Sequence, residues 1–139
     1  MNAGVRSGRG FGAPTSSLWA VPIADAYDGF LIDLDGVVWI GHEFIPGAGE
    51  TIAALLEAGK RLVFVTNSPR LSPAEQAGVL RRAGLPVEDD RLVTAGTALI
   101  DLARDRLAAG APLLAIGSPS FRGQVEAARF EPVAPAAWE

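Results

Sequence analysis

Cysteine is absent from this 139-residue sequence, and lysine, histidine and methionine each occur only once. Without cysteine the chain can form neither a disulfide framework nor a thiolate zinc site, and it cannot use a thiol nucleophile. Eleven of the twelve basic residues are arginine, and they are scattered rather than clustered. With a net charge of −4 and a pI near 5.0, the composition argues against a surface that binds nucleic acid.

Long apolar runs are missing too. The longest ones fall well short of the roughly 20 residues that a membrane helix needs, and residues 1–20 lack the continuous apolar centre of a signal peptide. The chain is 49% hydrophobic and 20% charged, which is typical of one globular domain. We therefore expect a cytoplasmic protein with no membrane and no nucleic acid among its partners.

Two kinds of segment alternate along most of the chain. Residues 1–26 are rich in Gly, Ser, Arg and Ala without periodicity, which predicts a flexible tail. After this tail, four short apolar segments are interpreted as strands: GFLIDL (29–34), RLVFVT (61–66), RLVTA (91–95) and PLLAIG (112–117). The first of them is apolar enough to be covered on both faces. The order predicts an α/β fold with a Rossmann-like parallel sheet and flanking helices.

The segments between these strands have helical patterns, at residues 46–60, 72–84, 97–110 and 118–130. Ser72 and Glu75 have the spacing of a capping box, with Pro73 at the first helical position. The periodicity predicts inward-facing side chains at Ile52, Leu55 and Leu56 in the first helix and at Leu99, Leu102, Ala103 and Leu107 in the third.

Polar residues stand where the first two strands end. Asp33 and Asp35 close the first apolar run and are followed at once by Gly36, while Thr66 and Asn67 close the second. Ligands of an open parallel sheet bind beyond the carboxyl ends of its strands. If the two strands are neighbours, all four polar residues lie at one rim.

This set of residues predicts a particular chemistry. Two carboxylates so close together need a compensating cation, and their hard oxygen ligands suit Mg²⁺, which also binds phosphate oxygens. Thr66 offers a hydroxyl donor, and the turn after it offers backbone N–H groups that suit an anion. A nucleophilic carboxylate beside a second carboxyl group indicates phosphoryl transfer through an aspartyl-phosphate.

The segments DLDGVVW (33–39) and VFVTNSP (63–69) resemble motifs I and II of the haloacid dehalogenase-like phosphatases. More narrowly, the chain is similar from about residue 28 to 133 to the capped branch with the 4-nitrophenylphosphatases, phosphoglycolate phosphatases and glycerol-phosphate phosphatases. The resemblance implies that Asp33 is the nucleophile, that Asp35 is the general acid/base, and that both bind Mg²⁺. It implies that Thr66, helped by Asn67, binds the phosphate of a small phosphomonoester.

Two further motifs of that family are missing from this sequence. One is a lysine that steadies the phosphate; Lys60, the sole lysine, lies at the start of the second strand, roughly 20 Å from its other end. The other is an acidic pair for the metal, and no aspartate follows Asp105. The resemblance therefore implies the N-terminal half of the core at residues 27–109 and the beginning of a cap domain at 110–139. We expect this chain alone to be inactive and to self-associate through an exposed sheet edge.

Other interpretations of the same residues stay open. Asp33 and Asp35 could be solubilising residues at a strand end. The chain could be a non-catalytic remnant that serves as a binding or interaction module. A receiver domain of a signalling system also places aspartates at a parallel-sheet rim, but its acidic pair and its phosphate acceptor lie on different strands. The sequence does not identify the phosphomonoester or the oligomeric state.

Overall fold

The computed structural model describes residues 23–41 and 43–133. A 3-10 helix at Ile23–Ala26 comes first, and a second one occurs at Asp89–Arg91. The strands are β1 (Gly29–Asp33), β2 (Trp39–Ile40), β3 (Glu43–Phe44), β4 (Arg61–Thr66), β5 (Leu92–Thr94), β6 (Pro112–Leu114) and β7 (Glu131–Val133). The helices are α1 (Ala48–Glu57), α2 (Pro73–Arg82), α3 (Ala95–Arg106) and α4 (Pro119–Ala127).

The main sheet has three parallel strands in the order β1-β4-β5. Asp33 lies opposite Val65 in the first pair, and Thr66 lies opposite Thr94 in the second. Helices α1 and α2 lie in the connections between these strands, as a parallel sheet requires. The predicted α/β fold with a parallel sheet is confirmed.

The main core brings together side chains of β4, α1, α2 and the loop that follows β1. Phe64 and Leu80 are fully buried, and Ile52 is almost so. Leu55 and Leu56 pack against this cluster, so the predicted inward face of α1 is confirmed. Burial of apolar surface of this kind provides most of the free energy that favours folding.

Helix α2 begins at the predicted capping box. The Ser72 side chain accepts a hydrogen bond from the Glu75 N–H at 3.3 Å, and the Glu75 carboxylate accepts one from the Ser72 N–H at 2.7 Å. Pro73 occupies the first helical turn, where its missing N–H leaves no hydrogen bond unmade. Two of the backbone donors at this end of the helix, the N–H groups of Ser72 and Glu75, therefore have partners.

A second, smaller unit of structure follows the main sheet. The parallel strands β6 and β7 form their own two-stranded sheet, so the fourth predicted strand does not join the other three. Ile100, Ala115, Val125 and Phe130 form a separate buried cluster that links α3, α4 and this small sheet.

The predicted inward face of α3 is wrong. Leu99, Leu102 and Leu107 are about half exposed, whereas Ile100 is buried; Ala103 alone of the predicted set packs against the buried cluster. The periodicity of the sequence predicted that the leucines of α3 face inward. In the structure, the smaller unit packs against the side of α3 that carries Ile100.

Strand β1 is also less covered than expected. Its burial alternates, and Leu31 is 77% exposed. Strand β1 also lies at the edge of the sheet, where β4 is its only neighbour among the described residues. Within the described residues, the face of β1 that carries Leu31 is therefore uncovered.

The predicted tail, residues 1–26, falls largely on residues 1–22, which lie outside the described residues; the last four form the first 3-10 helix. The predicted beginning of a cap domain, 110–139, is described as far as Val133. Within the described ranges, no helix is long and apolar enough to cross a membrane.

Candidate active site

The predicted rim residues come together at one end of the main sheet. Asp33 ends β1 and Thr66 ends β4, and these parallel strands are hydrogen-bonded neighbours. Asp35 follows two residues after Asp33, and Gly36 then turns the chain with a φ of 85°. A positive φ of this size is readily adopted by glycine and strained for other residues.

Leu34 anchors the segment between the two aspartates. Its side chain is fully buried, and its N–H donates to the Val65 carbonyl at 3.1 Å. Its carbonyl accepts hydrogen bonds from the N–H groups of Val38 and Trp39 at 2.9 and 3.1 Å. Asp33 and Asp35 therefore flank a fixed residue, and both are exposed at the rim.

The Asp35 carboxylate accepts a hydrogen bond on each of its oxygens. The Thr66 hydroxyl donates to Oδ2 at 3.0 Å, and the indole N–H of Trp39 donates to Oδ1 at 3.1 Å. Trp39 was not predicted as a site residue. It closes the DLDGVVW segment, four residues after Asp35, but it was expected in a loop whose path the sequence did not reveal.

Thr66 links the aspartate to the turn after β4. Its side chain is buried, with 5% exposure, and its hydroxyl oxygen accepts a hydrogen bond from the Ser68 N–H at 3.0 Å. The Thr66 hydroxyl thus accepts a hydrogen bond from the Ser68 N–H and donates one to the Asp35 carboxylate. Asn67 is exposed on the same turn. All four predicted residues lie at this rim, and a direct hydrogen bond joins Asp35 to Thr66.

A cavity of about 320 Å³ opens beside Asp35. Its walls include Trp39 and Phe44 from the β2–β3 hairpin and Ser68, Arg70 and Gln76 from the turn after β4 and from α2. A cavity of this size can hold a small organic group. Arg70 contributes a positive charge and Gln76 a buried amide.

Lys60 lies at the opposite end of β4, as predicted. It immediately precedes the strand, and its Nζ donates to the Tyr27 carbonyl at 3.0 Å. The chain's one lysine therefore does not face the aspartates.

Within residues 23–41 and 43–133, no three acidic or histidine side chains are grouped closely enough to hold a metal ion. The rim provides two carboxylates, and these oxygen ligands suit Mg²⁺. The described residues therefore fit part of a magnesium shell.

This chain is similar in sequence to several known proteins. A model of the haloacid dehalogenase-like hydrolases matches residues 30–131. Glycerol-3-phosphate phosphatase of Mus musculus is 41% identical over 108 residues, which are 72% of this chain and 33% of that protein. D-glycerol 3-phosphate phosphatase of Mycobacterium tuberculosis is 33% identical over 111 residues, which are 80% of this chain and 31% of that protein.

Solved structures have the same fold. The p-nitrophenyl phosphatase from Archaeoglobus fulgidus aligns with a TM-score of 0.69 and 30% identity over 76% of this chain and 40% of that chain. The glycerol phosphate phosphatase from Mycobacterium tuberculosis in complex with magnesium aligns with a TM-score of 0.69 and 33% identity over 80% of this chain and 33% of that chain. The chain thus spans about one third of the length of the curated relatives it matches.

Proposed function

The chain belongs to the haloacid dehalogenase-like hydrolases, and we propose that it provides the nucleophile half of a magnesium-dependent phosphatase acting on small phosphomonoesters. The observation that carries this proposal is the Asp35–Thr66 hydrogen bond of 3.0 Å across neighbouring strand ends, with Asp33 beside it. If Asp33 and Asp35 served only to make the strand end soluble, a hydrogen bond from the buried Thr66 to Asp35 would not be needed.

The proposed reaction has two steps. A carboxylate oxygen of Asp33 attacks phosphorus, and the bond between phosphorus and the ester oxygen breaks as Asp35 gives that oxygen its proton. Water then attacks the aspartyl-phosphate while Asp35 takes a proton from it, which releases inorganic phosphate and restores Asp33. One side chain thus serves as acid in the first step and as base in the second.

Thr66 and Asn67 are the proposed phosphate ligands. The Thr66 hydroxyl now donates to Asp35, and in the substrate complex a phosphate oxygen would accept that hydrogen bond instead. Its fixed partner on the other side, the Ser68 N–H, keeps the hydroxyl in place during the exchange.

Asp33 and the backbone carbonyl of Asp35 are the proposed magnesium ligands. When bound, the metal would neutralise charge on the phosphate and help to orient it. The proposed shell needs further ligands, because the described residues contain no group of three acidic or histidine side chains.

The chain alone is proposed to be inactive. Lys60, the sole lysine, lies at the other end of β4. No lysine ammonium group of this chain would therefore balance the negative charge that develops on the phosphoryl group. Loss of one positioned electrostatic partner typically lowers the rate about 100-fold or more.

We propose the domain division of residues 27–109 as core and 110–139 as the beginning of a cap. The separate sheet of β6 and β7 supports a distinct unit, and Ile100 of α3 packs against that unit from the core side of the proposed boundary. We further propose a cytoplasmic location and self-association through the edge of β1, where Leu31 is exposed.

The test is phosphate release from a panel of small phosphomonoesters, glycerol 3-phosphate and 4-nitrophenyl phosphate among them, with and without Mg²⁺. The assay is run on this chain and on any longer protein that contains it. Magnesium-dependent release by the longer protein is expected. No release by any form, with binding of phosphomonoesters retained, would instead favour a non-catalytic binding module.

A further inference from the structure

Trp39 contacts the proposed acid/base residue, and nothing in the motif comparison assigns it a role. We infer that the indole N–H of Trp39 holds the Asp35 carboxylate in one orientation, so that Oδ2 is the oxygen that exchanges the proton with the substrate. Trp39 is then a positioning residue, and the inference rests on the proposed function.

The Trp39 ring has little freedom to move. The residue is 6% exposed, and its ring packs edge-on against Phe44 at a centroid distance of 5.7 Å. Its backbone is fixed as well, since its carbonyl accepts from the Gly36 N–H at 2.7 Å and its N–H donates to the Leu34 carbonyl. The donor that faces Asp35 is therefore held by packing on one side and by the backbone on the other.

Asp35 itself lacks such packing. It is exposed, and the terminal torsion of an aspartate is broad, so the plane of the carboxylate could turn. The Trp39 and Thr66 hydrogen bonds, at 3.1 and 3.0 Å, oppose that rotation. Of the two donors, Thr66 is the one expected to turn toward phosphate, which leaves Trp39 as the lasting constraint.

The two partners also differ in chemistry. An indole N–H can only donate, whereas a hydroxyl can both donate and accept. A proton on Oδ1 would make that oxygen a weaker acceptor for Trp39, while a proton on Oδ2 can face the Thr66 hydroxyl or an ester oxygen. Trp39 therefore favours protonation on Oδ2 and holds the direction in which the carboxyl group points.

The consequence depends on the leaving group. An alkoxide is a poor leaving group and needs a proton as the bond to phosphorus breaks, whereas nitrophenolate can leave without one. A misoriented Asp35 should therefore impair attack on an alkyl phosphate much more than attack on an aryl phosphate. Because kcat/KM covers the reaction only as far as loss of the leaving group, it isolates this step from hydrolysis of the intermediate.

The test is Trp39→Phe in the intact protein that carries this sequence, because phenylalanine keeps an aromatic ring against Phe44 but has no N–H. We expect kcat/KM to fall about tenfold for glycerol 3-phosphate, a fraction of the 10²–10⁴ that acid–base catalysis typically contributes. For 4-nitrophenyl phosphate it should fall less than about twofold.

Phe44→Leu is the matched control, because it loosens the same packing and keeps the indole donor. Because the donor is retained, Phe44→Leu should change the ratio of the two kcat/KM values less than Trp39→Phe does. An equal loss for both substrates in Trp39→Phe, or no loss, would overturn the inference. Asp33→Asn, measured in parallel, separates this result from the proposed function: if that variant is inactive while Trp39→Phe is unaltered, the positioning role alone fails.

Discussion

At the scale of single residues, Asp33 and Asp35 have the same side chain in different surroundings. Asp35 accepts hydrogen bonds from Thr66 and Trp39, whereas Asp33 ends β1 exposed at the rim. In the intact protein, Asp33→Asn should lower kcat about 10⁴-fold or more, because an amide is a poor nucleophile. Asp35→Asn should still release nitrophenol once, in a burst, and then turn over slowly. Near wild-type turnover by Asp33→Asn would refute its assignment.

The Thr66 hydroxyl is the second residue that can be tested singly. Thr66→Val keeps the shape of the side chain but leaves the Ser68 N–H and Asp35 without this partner. We expect kcat/KM to fall about tenfold, since one neutral donor is lost and backbone donors remain. Thr66→Ser retains the hydroxyl and should retain most of the activity, as steady-state kinetics with 4-nitrophenyl phosphate would reveal. Equal activities of the two variants would argue against a role for the hydroxyl.

The sequence predicted Asp33, Asp35 and Thr66 because strand ends and turn residues are local signals. Trp39 could not be predicted in the same way. Its contact with Asp35 depends on the turn at Gly36 and on the two-residue pairing of Trp39 with Phe44 in the β2–β3 hairpin, and both are too short to give a periodic pattern.

At the scale of elements, the start of α2 is held by its capping box. Ser72→Ala removes the side-chain acceptor for the Glu75 N–H. A lost cap of this kind typically costs about 1 kcal/mol, which urea unfolding of the intact protein would measure. Ser72→Asn, which can restore an acceptor, should recover most of that loss.

Glu75 gives this helix end a pH dependence. Hydrogen bonds from the Ser120 hydroxyl and then from Ser72 lower the pKa of the Glu75 carboxyl below its ordinary value. The stabilisation is therefore present above the unfolded-state pKa, about 4.3, and is lost as the pH falls through the lower folded-state value. The effect is small because Glu75 is exposed and screened by solvent.

The measurement is the difference in Tm between the wild type and Ser120→Ala as a function of pH. We expect a difference at about pH 6 that shrinks below about pH 4 as Glu75 is protonated. Ser120 is the partner with the largest effect on this pKa. A difference in Tm that did not change with pH would contradict the assignment to Glu75.

Two glycines near α4 should respond oppositely to the same substitution. A Cβ at Gly117 would lie 2.7 Å from Cδ1 of Phe121, whereas a Cβ at Gly123 would meet nothing within 4 Å. Gly117→Ala should therefore destabilise the smaller unit, while Gly123→Ala should stabilise α4 by up to about 1 kcal/mol. Denaturant midpoints of the two variants would check this, and a stabilised Gly117→Ala would contradict the packing.

Elements with local signals were predicted well, and those that depend on distant contacts were not. The capping box at Ser72 fixed the start of α2, whereas the inward face of α3 depends on which surface the smaller unit covers. Strand β7 was missed because its three residues, which include Pro132, have little strand pattern of their own, and its pairing with β6 comes from packing of α4.

At the scale of the whole molecule, the main sheet ends at β1 with an exposed apolar residue. An unpaired strand edge is a template for pairing with another chain. Leu31→Lys should reduce self-association of this chain in sedimentation velocity, because a charge at an edge opposes strand pairing. Leu99→Lys, which changes an exposed leucine on α3, is the control and should leave association unaltered. A monomeric wild-type chain would contradict the proposal.

We propose above all that Asp33 accepts the phosphoryl group. The most direct test is to determine which residue of the protein becomes phosphorylated. The Asp35→Asn variant of the intact protein is mixed with 4-nitrophenyl phosphate and Mg²⁺, quenched in acid and digested, and the peptides are analysed by mass spectrometry. The account predicts one phosphoryl group on the peptide that contains Asp33, and none when Asp33→Asn is added to the variant. A phosphoryl group on another residue, or product formed with no phosphorylated peptide, would contradict it.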